Sequence, residues 1–316
     1  MLRALVVSFA MLAVFSATGA AQATPQAGQV HNDVRNDARN EVNQQPTLNQ
    51  PAPQSNLAVG SHSGEDSAAE NELLDAINKS RELAGSPALR VEESLREAAR
   101  MHARRMVASG LLEHRLAGEP SLLERIAAVI AADRAAPDSA LKIDRAGENI
   151  ANASCAPGAN DVLMGSAPHR KNRLDRGFNV AGVAAIWSKG RLYVVEDFAH
   201  EVPSYSAQQS GQLVGHAVDQ VRQDEGLPDL VQLTPPNLDQ AACSLARESR
   251  PNARLLATSY SNRRIVTYTQ SRPEVLPPGA LRLLRDPGVR QFAVGSCYAR
   301  NAAYPTGMYW VAILLY

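Results

Sequence analysis

Ala146-Gly147-Glu148-Asn149-Ile150-Ala151, followed by Ser166-Ala167-Pro168-His169-Arg170, is the stretch on which the reading of this 316-residue chain turns. It places a carboxylate, an amide and an imidazole in a segment otherwise built of small residues, and its first half reads as a loop. Toward the N-terminus the pattern is helical. Pro120 to Ala132 is one apolar-periodic run, and before it, past a loop holding His114, Glu93 to Gly110 sets Leu95, Ala98, Ala99, His102 and Met106 on one stripe. An earlier helix from Asn71 shows Leu73, Leu74 and Ile77 on one face and is stopped by Gly85-Ser86-Pro87. Toward the C-terminus, Asp161 to Met164 begins a helix, and Val180 to Trp187 with Leu192 to Phe198 reads as a β-hairpin around Lys189-Gly190. Helices followed by short antiparallel strands predict an α+β sandwich.

The rest of the chain repeats parts of this pattern. Ile77-x-x-x-Arg81-x-x-x-Gly85-x-Pro87-x-Leu89 is matched in spacing by Val218-x-x-x-Arg222-x-x-x-Gly226-x-Pro228-x-Leu230. Leu95-x-x-Ala98-Ala99 is echoed by Leu238-x-x-Ala241-Ala242, and Gly190-x-x-Tyr193-Val194 by Gly307-x-x-Trp310-Val311. Three matches in the same order predict that residues 212–316 are a divergent second copy, joined through a linker near Ser204 to Gly211. This copy has no His beyond His216 and no Gly-Glu-Asn segment, and it carries Ile313 where Glu196 aligns and Leu245 where His102 aligns. It keeps a framework and lacks a site.

Four blocks of the first copy resemble the bacterial branch of the CAP superfamily (SCP-like extracellular domains). They are Ile77-Asn78-x-x-Arg81 with Gly85-x-Pro87-x-Leu89, Ala99-x-x-His102-Ala103-x-x-Met106, the Gly-Glu-Asn-Ile segment and the Pro-His-Arg segment, and with the hairpin they cover residues 70–200. The resemblance implies an α-β-α sandwich with a cleft over the sheet, lined at positions matching His114, Glu148 and His169. Asn149 is read as fixing its loop through side-chain to backbone hydrogen bonds, and Glu196, where relatives often have Gln, as a second acid of the cleft. Leu163 stands where relatives often have Trp. His102, on the apolar stripe, is read as a core histidine, and Arg170 as solvated or ion-paired.

Two imidazoles and one or two carboxylates suit a divalent cation such as Zn²⁺, with His114 and His169 as ligands. The alternative is a hydrogen-bonded His/Glu network that braces the cleft. Function divides accordingly. The leading expectation is a non-enzymatic extracellular binding module for a cation, a lipid or a cell-envelope component. The others are a metal-dependent hydrolase with Glu148 as general base and a metal-bound water at His114 and His169, or a structural or adhesive envelope protein. There is no G-x-S-x-G nucleophile elbow.

Composition narrows the classes further. Lys+Arg and Asp+Glu are equal at 32 each and scattered, so no footprint for nucleic acid is present. Residues 1–23 read as a signal peptide, with Arg3, an apolar run from Ala4 to Phe15 and the small-residue end Ala21-Gln22-Ala23, and this predicts secretion. The apolar run is too short for a transmembrane anchor. Residues 24–69, without Phe, Tyr or Trp, read as a disordered polar spacer. Of the three cysteines, Cys243 and Cys297 are the expected pair, against the alternative of three unpaired thiols.

Overall fold

The computed structural model describes residues 63–132, 141–249, 251–261 and 263–316. The expected signal peptide and most of the expected spacer lie outside these residues. In chain order the first unit consists of β1 (Gly64–Glu65), α1 (Ser67–Leu83), β2 (Arg90–Val91), α2 (Glu93–Ser109), α3 (Leu122–Ala132), β3 (Ile143–Ala153), α4 (Ala156–Gly165), α5 (Ala167–Leu174), β4 (Val180–Ser188) and β5 (Arg191–Glu201). The second consists of α6 (Ala207–Asp224), β6 (Val231–Leu233), α7 (Leu238–Arg247), α8 (Arg254–Ala257), β7 (Arg264–Gln270), α9 (Pro278–Leu284), β8 (Gln291–Ala299) and β9 (Met308–Leu315).

Local chemistry starts and stops the helices where the sequence signals lie. Asp66 caps α1 by accepting from the amides of Ala68 and Ala69, and α2 ends on Gly110 in the left-handed region. In the first sheet the order is β1-β4-β5-β3, with β2 parallel to the other end of β4. α1, α4 and α5 cover one face, and α2 and α3 the other. The architecture is therefore α-β-α, with an apolar cluster around Leu73, Ile77, Leu163 and Phe198 on one side and others around Leu95, Ile126 and Met106 on the opposite side. α2 lies so close to β4 that a Cβ on Gly182 would collide with the backbone of Leu95 and Arg96.

Two expectations need correcting. Residues 146–151 are not a loop but the middle of β3, in continuous register with β5. Glu and Asn disfavour strands in isolation, and pairing along the whole of β5 overrides that weak preference. The first sheet also begins at Gly64, ahead of the expected start at 70, because β1 pairs with Ile186 and Trp187.

The second unit has the strand order β6-β8-β9-β7, with β6 parallel to β8 and the other pairs antiparallel, which is the order and sense of β2-β4-β5-β3. The buried arginines share three bonds, and Arg81 has a fourth, to the Phe178 carbonyl. Arg81 donates to the carbonyls of Pro87, Arg173 and Asp175, and Arg222 to those of Pro228, Leu284 and Asp286. Asp175 and Asp286 each accept from the amide two residues on, that of Gly177 and that of Gly288. Walking the register from Leu89 and Leu230 across both sheets sets Gly182 against Ala293, Asp197 against Leu314 and Glu148 against Ile265.

A disulfide joins Cys243 of α7 to Cys297 of β8, and Cys155, ahead of α4, is an exposed free thiol. The units meet at the start of β3. Lys142 donates to the Tyr309 hydroxyl at 3.2 Å and lies over the Tyr298 ring, and Thr306 donates to the Ile143 carbonyl. That junction is on the order of 15 Å along the strand from Glu148. Among the described residues no helix is long and apolar enough to cross a membrane.

Candidate functional site

Glu148 faces Asp197 and Asn149 faces Glu196 across the β3–β5 ladder. Successive residues of a strand point to opposite faces, so the two pairs build two different clusters. The predicted acids are divided between them.

On the α2/α3 face, Glu148 is held from two sides. His114 Nδ1 lies 2.9 Å from Glu148 Oε1, and Arg125 of α3 donates to Oε2. A carboxylate only accepts here, so Nδ1 of His114 carries the hydrogen and its Nε2 is left outward with a lone pair while the ring is neutral. The His114 side chain is 43% exposed and that of Glu148 only 4%. Arg125 also donates to the His114 carbonyl at 3.2 Å, so one guanidinium fixes both the carboxylate and the loop that brings the imidazole to it. Glu119 shapes the same loop by accepting from the Leu116 amide at 3.1 Å.

His102 is fully buried on the α2 stripe, yet it is not merely packed. Its Nδ1 lies 2.9 Å from Glu119 Oε1, its Nε2 3.0 Å from the Glu113 carbonyl and 4.0 Å from Glu148 Oε2. It is a core histidine inside a polar cluster. An open groove lined by Arg115, Leu116, Gly118, Glu119, Pro120 and Glu124 runs along the adjoining loop, and neither His114 nor His169 lines it.

Asp197, beneath Glu148, is fully buried, and its two oxygens have no ordinary donor. Burial pushes its carboxyl well above the usual carboxylate range, and the neighbouring Glu148 adds to the shift. A proton on Asp197 would give the pair a hydrogen to share. The folded protein thus keeps this proton to a higher pH than the unfolded chain, whose aspartates titrate near pH ~3.9. Asp197 accordingly costs nothing below that range, and stability falls as pH rises toward its raised midpoint, at up to about 1.4 kcal/mol per pH unit. Asp197→Asn keeps the shape and a donor without the titration. Chemical denaturation between pH 4.5 and 8 is expected to show a flatter decline in the variant than in the wild type; parallel curves would mean that Asp197 ionises normally.

On the α4/α5 face, Glu196 takes both arms of the Arg173 guanidinium, with Nε at 2.9 Å from Oε2, and both residues are fully buried. The expectation that Glu196 lines the cleft is corrected on this point. It is sequestered as the partner of Arg173, a residue to which the sequence reading gave no role. Asn149 donates to Glu196 and to the His169 carbonyl, each at 3.1 Å, so its side-chain to backbone bond exists but ties a strand to α5 rather than fixing a loop. Arg170 is exposed and donates to the Met164 carbonyl.

His169 stands between the clusters. Its Nδ1 is buried without a partner, and burial lowers the basicity of the ring, an effect that the charge of His114 reinforces. The two imidazoles predicted as a pair are therefore within electrostatic reach of each other. Among the described residues no three His, Cys, Asp or Glu side chains converge as a ready metal cage. As possible ligands, His114 Nε2 and His169 Nδ1 are uncommitted, whereas both oxygens of Glu148 are engaged.

The Cysteine-rich secretory protein family (CAP) matches this chain over residues 74–198, a span that holds every side chain of both clusters. Residues 74–198 are a CAP domain. Among solved structures, an extracellular protein containing an SCP domain from Bacillus anthracis is 22% identical, over 42% of this chain and 40% of that one, with a TM-score of 0.36. A cysteine-rich secretory protein from Staphylococcus aureus is 14% identical, over 42% and 38% of the two chains, with a TM-score of 0.31. An outer surface protein from Borrelia burgdorferi is 13% identical, over 44% of this chain and 99% of its own, with a TM-score of 0.38. This chain thus spans less than half the length of the first two. A search of curated proteins gives no match.

The CAP domain contains four site residues that sequence reasoning missed: Arg125, Glu119, Asp197 and Arg173. For Asp197 a signal was available, since it sits beside Glu196 on the opposite face of an alternating strand. For the arginines, helical periodicity offered only a polar position, with nothing to name the partner across the sheet.

Proposed function

We propose that the CAP domain is a secreted, non-enzymatic binding module whose His114/His169 pair takes a divalent cation at the cleft. The observation that carries this reading is the buried, unpartnered Nδ1 of His169, whose basicity burial lowers and which lies within electrostatic reach of His114. Neutral imidazole nitrogen is a good ligand for Zn²⁺ and its neighbours in the transition series. With two protein nitrogens and, among the described residues, no third ligand grouped with them, such an ion would be open to water or to oxygen atoms of an envelope ligand.

Hydrolysis is the weaker reading. A general base needs a free lone pair toward its water, and Glu148 is already committed to Arg125 and His114. Residues 212–316 are read as a degenerate second copy that braces the first. Support comes from the shared strand order, the Arg81/Arg222 bonds and a junction remote from Glu148.

Calorimetric titration of the full chain with Zn²⁺ tests the reading. The wild type is expected to bind and the His114→Ala/His169→Ala variant to lose the binding heat. Equal heats from the two proteins would rule the site out.

A further inference from the structure

α5 carries His169 and is tied to the sheet by a chain of polar bonds. Asn149 reaches the His169 carbonyl and Glu196; Glu196 takes Arg173, one turn beyond His169; Arg173 also donates to Asn160 of α4 at 2.7 Å. Asn172 closes the chain by donating to Asn149 Oδ1 at 3.0 Å. A fully buried ion pair of this kind gives little net stability over apolar residues of similar volume.

The second unit supplies that comparison inside the same molecule. Arg222 binds the carbonyls of Leu284 and Asp286 as Arg81 binds those of Arg173 and Asp175, so Leu284 stands in the place of Arg173 and Ala280 in that of His169. The paired registers set Val266 in the place of Asn149 and Ile313 in that of Glu196. Leu284, Ile313 and Val266 belong to one apolar cluster. Docking this helix on this sheet therefore does not call for Arg, Glu and Asn. The polar set occurs in the unit that has an imidazole to hold, and it bonds to the backbone of that very residue.

From this we infer that Arg173, Glu196 and Asn149 are positioning residues that fix where His169 presents its ring to the cleft. The inference rests on the cation-binding reading above. It is tested on the full chain with Zn²⁺ titration and with NMR of the histidine side chains, comparing wild type, Arg173→Leu/Glu196→Ile and Asn149→Val. The double variant installs the residues of the second unit. It is expected to stay folded, to lose about 10–100-fold in Zn²⁺ affinity and to shift the ring resonances of His169 while those of His200 stay in place. A folded double variant with wild-type affinity and unmoved His169 resonances would overturn the inference and leave Arg173 and Glu196 as bracing.

If the wild type itself takes up no Zn²⁺, the cation reading fails, and the ring resonances alone decide the positioning role: moved resonances support it and unmoved ones overturn it. Asn149→Val removes the direct bond to the His169 carbonyl while leaving the ion pair. It carries the same two readouts if the double variant does not fold.

Discussion

Arg173→Leu alone is expected to cost the first unit about 3–5 kcal/mol of stability, because it leaves the Glu196 carboxylate buried without its cation. Glu196 is fully inside the protein, and the Asn149 amide also donates to it, too little to replace the two arms of a guanidinium. Adding Glu196→Ile is expected to return most of that loss or more, since the pair Leu and Ile already packs well at residues 284 and 313. Urea unfolding of the two single variants and the double variant measures this directly as midpoint shifts. A single variant as stable as the wild type would show that the pair is not desolvated in solution. A double variant no better than the singles would show that the first sheet cannot accept the packing of the second.

Removing the Cys243–Cys297 bridge is the other large expected effect. It closes a loop of 54 residues, and the chain-entropy relation for a loop of this length gives about 4 kcal/mol. The bridge reinforces the seat of α7 on β8, where Leu238, Ala242 and Leu245 pack against Ala293 and Trp310. Cys243→Ala/Cys297→Ala is expected to unfold this unit at lower temperature, seen as a separate early transition in scanning calorimetry, and reduction of the wild type is expected to reproduce it. An unchanged transition in either experiment would place the bridge outside the unit's stability. Loss of the second unit is also expected to weaken the first at the Lys142 and Thr306 contacts, which join them.

Much of the fold was legible in the sequence because its signals are local. The Gly-x-Pro breaks, the apolar stripes of α1 and α2 and the turn at Lys189-Gly190 each act within a few residues and are found where they were read, while α1 starts at Ser67, four residues ahead of Asn71, because Asp66 caps it. The Gly-Glu-Asn-Ile segment misled for the converse reason. Its residues favour loops locally, and the pairing that makes it a strand comes from β5, almost fifty positions away. The candidate site shows the same division. His114, Glu148 and His169 were legible as residue types in a recognisable order, but the partners of each acid were not.

By itself the sequence determined the α+β class, most of the helices and the hairpin, and it left the cysteine pairing open between a Cys243–Cys297 bridge and three thiols. Only the tertiary structure decided that Glu148 belongs to Arg125 and His114, beside the buried Asp197, and that Glu196 belongs to Arg173 on the other side of the sheet. The physical reason lies in the strand itself. Alternation along β3 and β5 splits adjacent acids between two dry faces, and which cation waits on each face depends on helices packed there from distant parts of the chain.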